Sequence, residues 1–217
     1  MRVAATVCAL LLLGACATTP SRESSAAHWA ALPVLGALQV PILYHQAAAT
    51  PLPADRLVSW YGDVCGERDA GSKPAAEAAA RASLARAAAE AGRATRWLVP
   101  LRQTLGSYDG RRGGFATSLR TGGVVRFDPS DYCQQPLTYL VAFENGSDFS
   151  LLRLSEERAR QFVRANLTRT VVHELEVEVS RVQAGPPAPT VLVRIVRLRA
   201  KDAVNGAVLA DTGGDPR

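Results

Sequence analysis

The stretch VVHELEVEVSRV, residues 171–182, constrains the fold more than any other. His173, Leu175, Val177 and Val179 alternate with Glu174, Glu176 and Glu178. Only an extended strand places those two sets on opposite sides. Carboxylates at that spacing stand about 7 Å apart, far enough for each to keep its own water. The chain must therefore build a sheet with one dry and one wet face, as antiparallel sheets commonly do. TVLVRIVRLRA, residues 190–200, is a second strand, separated from the first by a loop containing Pro186, Pro187 and Pro189. Its Arg194, Arg197 and Arg199 lie close in sequence to the glutamates, and cross-strand pairing is the simplest use for both sets. Asn205-Gly206 then turns into AVLAD.

Upstream, β-prone runs between residues 93 and 128 are punctuated by turn signals at Asp109-Gly110, Gly113-Gly114 and Gly122-Gly123. PLTYLVAF alternates Leu137, Tyr139, Val141 and Phe143, and an Asn145-Gly146 turn leads to a further strand over 149–154. Ser155, followed by Glu156 and Glu157 at the positive end, starts a helix that runs to about Asn166, with Ala159, Phe162 and Val163 inward. Two helices come earlier. Leu57, Trp60, Tyr61 and Val64 have helical spacing between Asp55 as N-cap and Gly66 as stop. The Ala-rich stretch from Ser72 to Gly92, with Pro74 in its first turn, has strong helix propensity, but Leu84 is its only large aliphatic residue. Helices first, then strands around one inserted helix, predict an α+β fold with a mostly antiparallel sheet. The 47% hydrophobic content suffices for a core.

The chain opens with Met1 and Arg2 and then runs apolar from Val3 to Ala15. As a helix this run is about 20 Å long, against a hydrocarbon core of about 30 Å, so it is too short to span. A positive start, a short Leu-rich run and small residues before a polar stretch describe a secretory signal peptide, residues 1–15. The boundary Leu13-Gly14-Ala15-Cys16 resembles the lipobox of bacterial lipoprotein precursors. That resemblance implies cleavage before Cys16 and acylation of its thiol, which becomes the membrane anchor. One acyl chain binds marginally, whereas two or three hold a protein on a bilayer. In Gram-negative lipoproteins an Asp after the Cys favours inner-membrane retention. Ala17 instead points to the outer membrane, facing the periplasm.

Beyond the Cys, residues 16–27 form a small, polar tether. Residues 28–52 form an apolar arm rich in large side chains, including Trp29, Leu35, Ile42 and Tyr44. Such an arm either packs on the domain or docks a partner, and packing is favoured because large exposed apolar patches are uncommon. The α+β domain occupies 53–212, and 213–217 is a tail. With Cys8 removed and Cys16 acylated, Cys65 and Cys133 are the two thiols left, and an oxidising compartment pairs them as a disulfide.

No reaction is announced. The chain lacks GxSxG, HExxH, SxxK and P-loop motifs. Of the three histidines, His28 and His45 lie in the arm and His173 on the dry face of its strand. A lone histidine in such a place is more often structural than catalytic. No catalytic residue, cofactor or metal site is therefore assigned. The net charge is +5, and all but two of the 25 basic residues are arginine, Lys73 and Lys201 being the exceptions. Without a dense basic tract or interleaved aromatics this is not a nucleic-acid footprint. The expected function is a lipid-anchored envelope binding module whose partner is an envelope protein, peptidoglycan or lipid. A tethered periplasmic hydrolase and an inhibitor-like or immunity-like lipoprotein are the alternatives. His173 in a deep pocket with an acid and a hydroxyl would favour the hydrolase.

Overall fold

The computed structural model describes residues 22–61, 71–127 and 137–213. Cys16, the expected acylation site, Cys65 and Cys133 of the expected disulfide, and the expected stop at Gly66 lie outside the described residues. The chain divides into two compact units, residues 1–31 and 32–217. In the first, α1 spans Arg22–Ala31.

The second unit begins with α2 (Gln39–Ala47) and α3 (Ala54–Leu57), the latter continuing into a 3-10 turn over Val58–Trp60. The single helix expected from Asp55 onward is thus replaced by two short pieces, and Pro53, not Asp55, is the N-cap. The apolar spacing survives because a 3-10 turn also brings every third or fourth residue to one side. Helix α4 (Lys73–Ala91) follows the Ala-rich stretch, and Ala80, Leu84 and Ala91 are its buried residues. Gly92 ends it in right-handed geometry, without the left-handed cap that a terminal glycine permits.

Nine strands follow among the described residues. The main sheet has the order β1 (Trp97–Thr104), β7 (Thr170–Gln183), β8 (Thr190–Asp202), β5 (Tyr139–Phe143), β4 (Val124–Phe127). Strand β9 (Val208–Gly213) pairs with the far half of β8. A second sheet joins β2 (Tyr108–Asp109), β3 (Gly114–Ala116) and β6 (Leu151–Arg153). Helix α5 (Glu156–Ala165) is inserted between β6 and β7, and the hydroxyl of its N-cap Ser155 accepts the Arg158 amide hydrogen. The fold is α+β, and its strand pairs are antiparallel except β5 with β8.

One edge of β8 carries β7 along its length, while the other is shared by β5 at 190–193 and β9 from Arg197 onward. The gap between them is closed by the Asn145 side chain, which donates to the Ile195 carbonyl at 2.9 Å and accepts its amide at 2.8 Å. A carboxamide can satisfy both groups as a neighbouring strand would. The Asn145-Gly146 pair therefore makes no hairpin. Gly146 opens a 3-10 turn to Phe149, and a Cβ there would lie within van der Waals overlap of the Arg120 backbone. The chain then leaves the main sheet, so 149–154 contributes only the short β6 to the second one.

The core lies against the dry face of the main sheet, where Val99, Leu175, Val177, Val193 and Ile195 are buried. Helix α2 packs on β5, β7 and β8, and α4 packs on α2. Val40, Ile42, Leu43 and Tyr44 belong to this core, and Leu35 joins it beside a bridge from Val34 to Leu98 on β1. Strand β5 departs from the expected alternation, because all five of its residues are buried. It lies inside the sheet and both of its faces are covered, so alternate residues no longer differ in environment.

Candidate functional site

Three places in the second unit gather polar side chains. The first is His173. It is 1% exposed, flanked in register by Leu101 and Ala200, and neither ring nitrogen has a hydrogen-bond partner among the described residues. Burial pushes its pKa down to about 4, so the ring is neutral at pH 7. Among the described residues neither an acid nor a hydroxyl is hydrogen-bonded to it to relay a proton.

His45, at the end of α2, is engaged at both nitrogens. Nδ1 lies 2.9 Å from the Thr50 hydroxyl and Nε2 lies 3.2 Å from the Tyr139 hydroxyl. Tyr44 stands edge-on to both rings. Burial lowers the His45 pKa and raises that of Tyr139. Two neutral hydroxyl partners hold the ring without charging it, which makes this cluster a brace between α2 and β5. Sequence alone gave no reason to connect these residues, which lie 94 positions apart. His28 lies on α1, edge-on to Trp29.

The second place is the face of β7 that carries the glutamates. It was expected to be wet, yet Glu176 is only 1% exposed. Arg96, just ahead of β1, lies over it, one nitrogen 2.6 Å from Glu176 and the other 3.0 Å from Glu178. Hydrogen bonding to Glu176 raises the Arg96 pKa further. Glu174 is held by Arg199 and by Lys201 at 2.8 Å. Of the expected cross-strand pairs, Glu174 with Arg199 forms in register. Arg197 stands opposite Glu176 but bonds Asp211 of β9 at 2.7 Å. A register shift between Glu176 and Val177 interrupts the pairing there. Glu174, Glu176 and Glu178 are thus each paired with a base among the described residues, while Arg194 stands opposite Glu178 and is exposed.

The third place is the corner where the loop after α5 meets the β8–β9 hairpin. Asn166 and Asp202 are both buried. The Asn166 carboxamide donates to Asp202 Oδ1 and to the Thr170 carbonyl, each at 2.7 Å, and accepts from the Thr170 amide and the Thr168 hydroxyl. The same Asp202 oxygen accepts the Val204 amide at 2.9 Å. Arg169 takes the left-handed conformation, with φ of 52°. Two loops are pinned to each other by a satisfied polar network, which rigidifies both. In the sequence Asn166 marks the end of a helix, and no local pattern points to this network.

Among the described residues no three His, Cys, Asp or Glu side chains are grouped to hold a metal ion, and no helix is long and apolar enough to cross a membrane. Comparison with protein families, curated proteins and solved structures gives no match.

Proposed function

We propose that this chain is a lipid-anchored binding module of the bacterial cell envelope, acylated at Cys16 and held at the outer membrane facing the periplasm, with a second envelope component as its partner. The observation that carries this is Leu13-Gly14-Ala15-Cys16 at the end of an apolar run too short to span a bilayer. A binding role is favoured over hydrolysis because His173, the histidine best placed on the sheet, sits in the core without an acid or hydroxyl partner among the described residues. His45 is likewise tied to hydroxyls that brace the fold.

The test is metabolic labelling with an alkyne fatty acid in the native host. Wild type takes up label and fractionates with the outer membrane, whereas Cys16→Ser takes up none and is released from it. Equal labelling of the two chains overturns the proposal. Ala17→Asp shifts the protein towards the inner membrane, and unchanged fractionation would remove the outer-membrane assignment.

A further inference from the structure

Five large apolar side chains are exposed among the described residues, and three of them, Leu167 (86%), Val204 (67%) and Val208 (45%), fall on the Asn166–Asp202 corner. Isolated exposed aliphatics need no explanation, but a group of them at one rigid corner marks a contact surface. Leu167 follows Asn166 directly, and the Val204 amide shares the Asp202 oxygen that Asn166 holds. Val208 follows Ala207, whose carbonyl accepts the Asp202 amide at 2.9 Å, and its own carbonyl accepts from the Arg158 guanidinium at 3.3 Å.

The carboxylate at this corner, Asp202, is buried and held by Asn166, so the exposed charges beside the group are arginines. Arg164 and Arg169 flank Leu167, Arg158 lies beside Val208, and these three form no salt bridge among the described residues. Residues 164–169 and 203–208 contain no acidic residue. The nearest acids of α5 are engaged elsewhere, Glu156 by Arg160 and Glu157 by Gln161. Three aliphatic side chains fall far short of the ~800 Å² that a stable protein partner needs on each side. They suit shallow insertion among lipid headgroups, where flanking arginines meet phosphate.

We infer that this corner docks on the surface of a bilayer rich in anionic phospholipid, with Leu167, Val204 and Val208 entering the interface and the exposed Arg158 and Arg164 contacting phosphates. The inference deepens the envelope proposal and rests on it for its setting, since an acyl anchor would hold the domain near such a surface. It gives the anchored domain a preferred orientation.

The test uses the chain from residue 16 onward carrying Cys16→Ser, which keeps every described residue and lacks any acyl chain. It is sedimented with phosphatidylglycerol/phosphatidylethanolamine vesicles and with phosphatidylcholine vesicles. Binding to the anionic vesicles is expected, weakening with salt, and binding to phosphatidylcholine should be at least about tenfold weaker. Arg164→Glu should weaken the anionic binding by more than about tenfold. Leu167→Ser/Val204→Ser should weaken it comparably, and Val124→Ser, exposed on β4, should not. All variants alter exposed side chains, and unchanged thermal melting confirms folding. Absence of binding, equal binding to phosphatidylcholine, equal loss in Val124→Ser, or a wild-type dimer that Leu167→Ser/Val204→Ser converts to monomer would each overturn the inference. Cys16 acylation is scored separately in cells, so failure of vesicle binding leaves that result standing.

Discussion

A neutral imidazole sealed in a core couples this protein's stability to acid. In the unfolded chain His173 takes up a proton near pH 6.5, whereas in the folded chain it does so only near 4. Between those values the unfolded state binds more protons, so stability is intact above about pH 6.5 and falls as pH drops towards 4. The full window amounts to about 3 kcal/mol. His173→Phe removes the titrating group while filling similar space, so thermal melts at pH 7 and pH 5 should differ less for the variant than for wild type. An equal pH dependence would show that other groups, His45 among them, set it. Asn166 illustrates the opposite case, a buried polar side chain with every partner in place. Asn166→Ala leaves the Thr170 amide without its acceptor and Asp202 Oδ1 with the Val204 amide as its remaining donor among the described residues, at a cost of about 1–3 kcal/mol readable in denaturant titration. A loss below about 0.5 kcal/mol would mean that water replaces the carboxamide without penalty.

Among elements, β7 is the organiser. Its dry side anchors the core, and its other side collects Arg96, Arg199 and Lys201 around three glutamates. Arg96 is half-exposed while Glu176 beneath it is not, so removing the arginine takes a counter-charge from a carboxylate that water reaches poorly. Arg96→Ala should destabilise by about 2 kcal/mol, below the range for a fully buried pair because the arginine is partly solvated. Glu176→Gln in the same chain should recover part of that loss, since a neutral carboxamide depends less on the lost counter-charge. A double variant no more stable than Arg96→Ala would assign the loss to the arginine's packing instead. The strand and its alternation were legible in sequence. The identity of the Glu176 partner was not, because Arg96 precedes β1, and only the pairing of β1 with β7 brings it there.

For the whole molecule, the proposed acylation and disulfide concern how the chain is held, at its membrane and to itself. Cys65 follows the 3-10 turn after α3, and Cys133 falls between β4 and β5 in the chain. A bridge between them would close a loop of roughly 70 residues and stabilise by about 4 kcal/mol in the chain-entropy account. Protein purified without reductant and then unfolded should show no titratable thiol, and reduction should lower its melting temperature by several degrees. Two free thiols in the unreduced chain would refute the pairing. The α4 helix has most to gain, because three small or medium side chains, Ala80, Leu84 and Ala91, form its buried contact.

Local pattern determined much of this protein. Period-two alternation named β7 and β8, Ser155 with two glutamates started α5, and helices before strands announced the α+β class. Such signals survive because they depend on residues a few positions apart, whose spacing is set by the backbone itself. Tertiary structure decided the rest. It placed β5 inside the sheet and parallel to β8, sent β6 to a second sheet, buried Glu176 under Arg96, and tied Asn166 to Asp202. Each of those outcomes depends on which distant segments meet, and burial, unlike periodicity, is a property of the meeting.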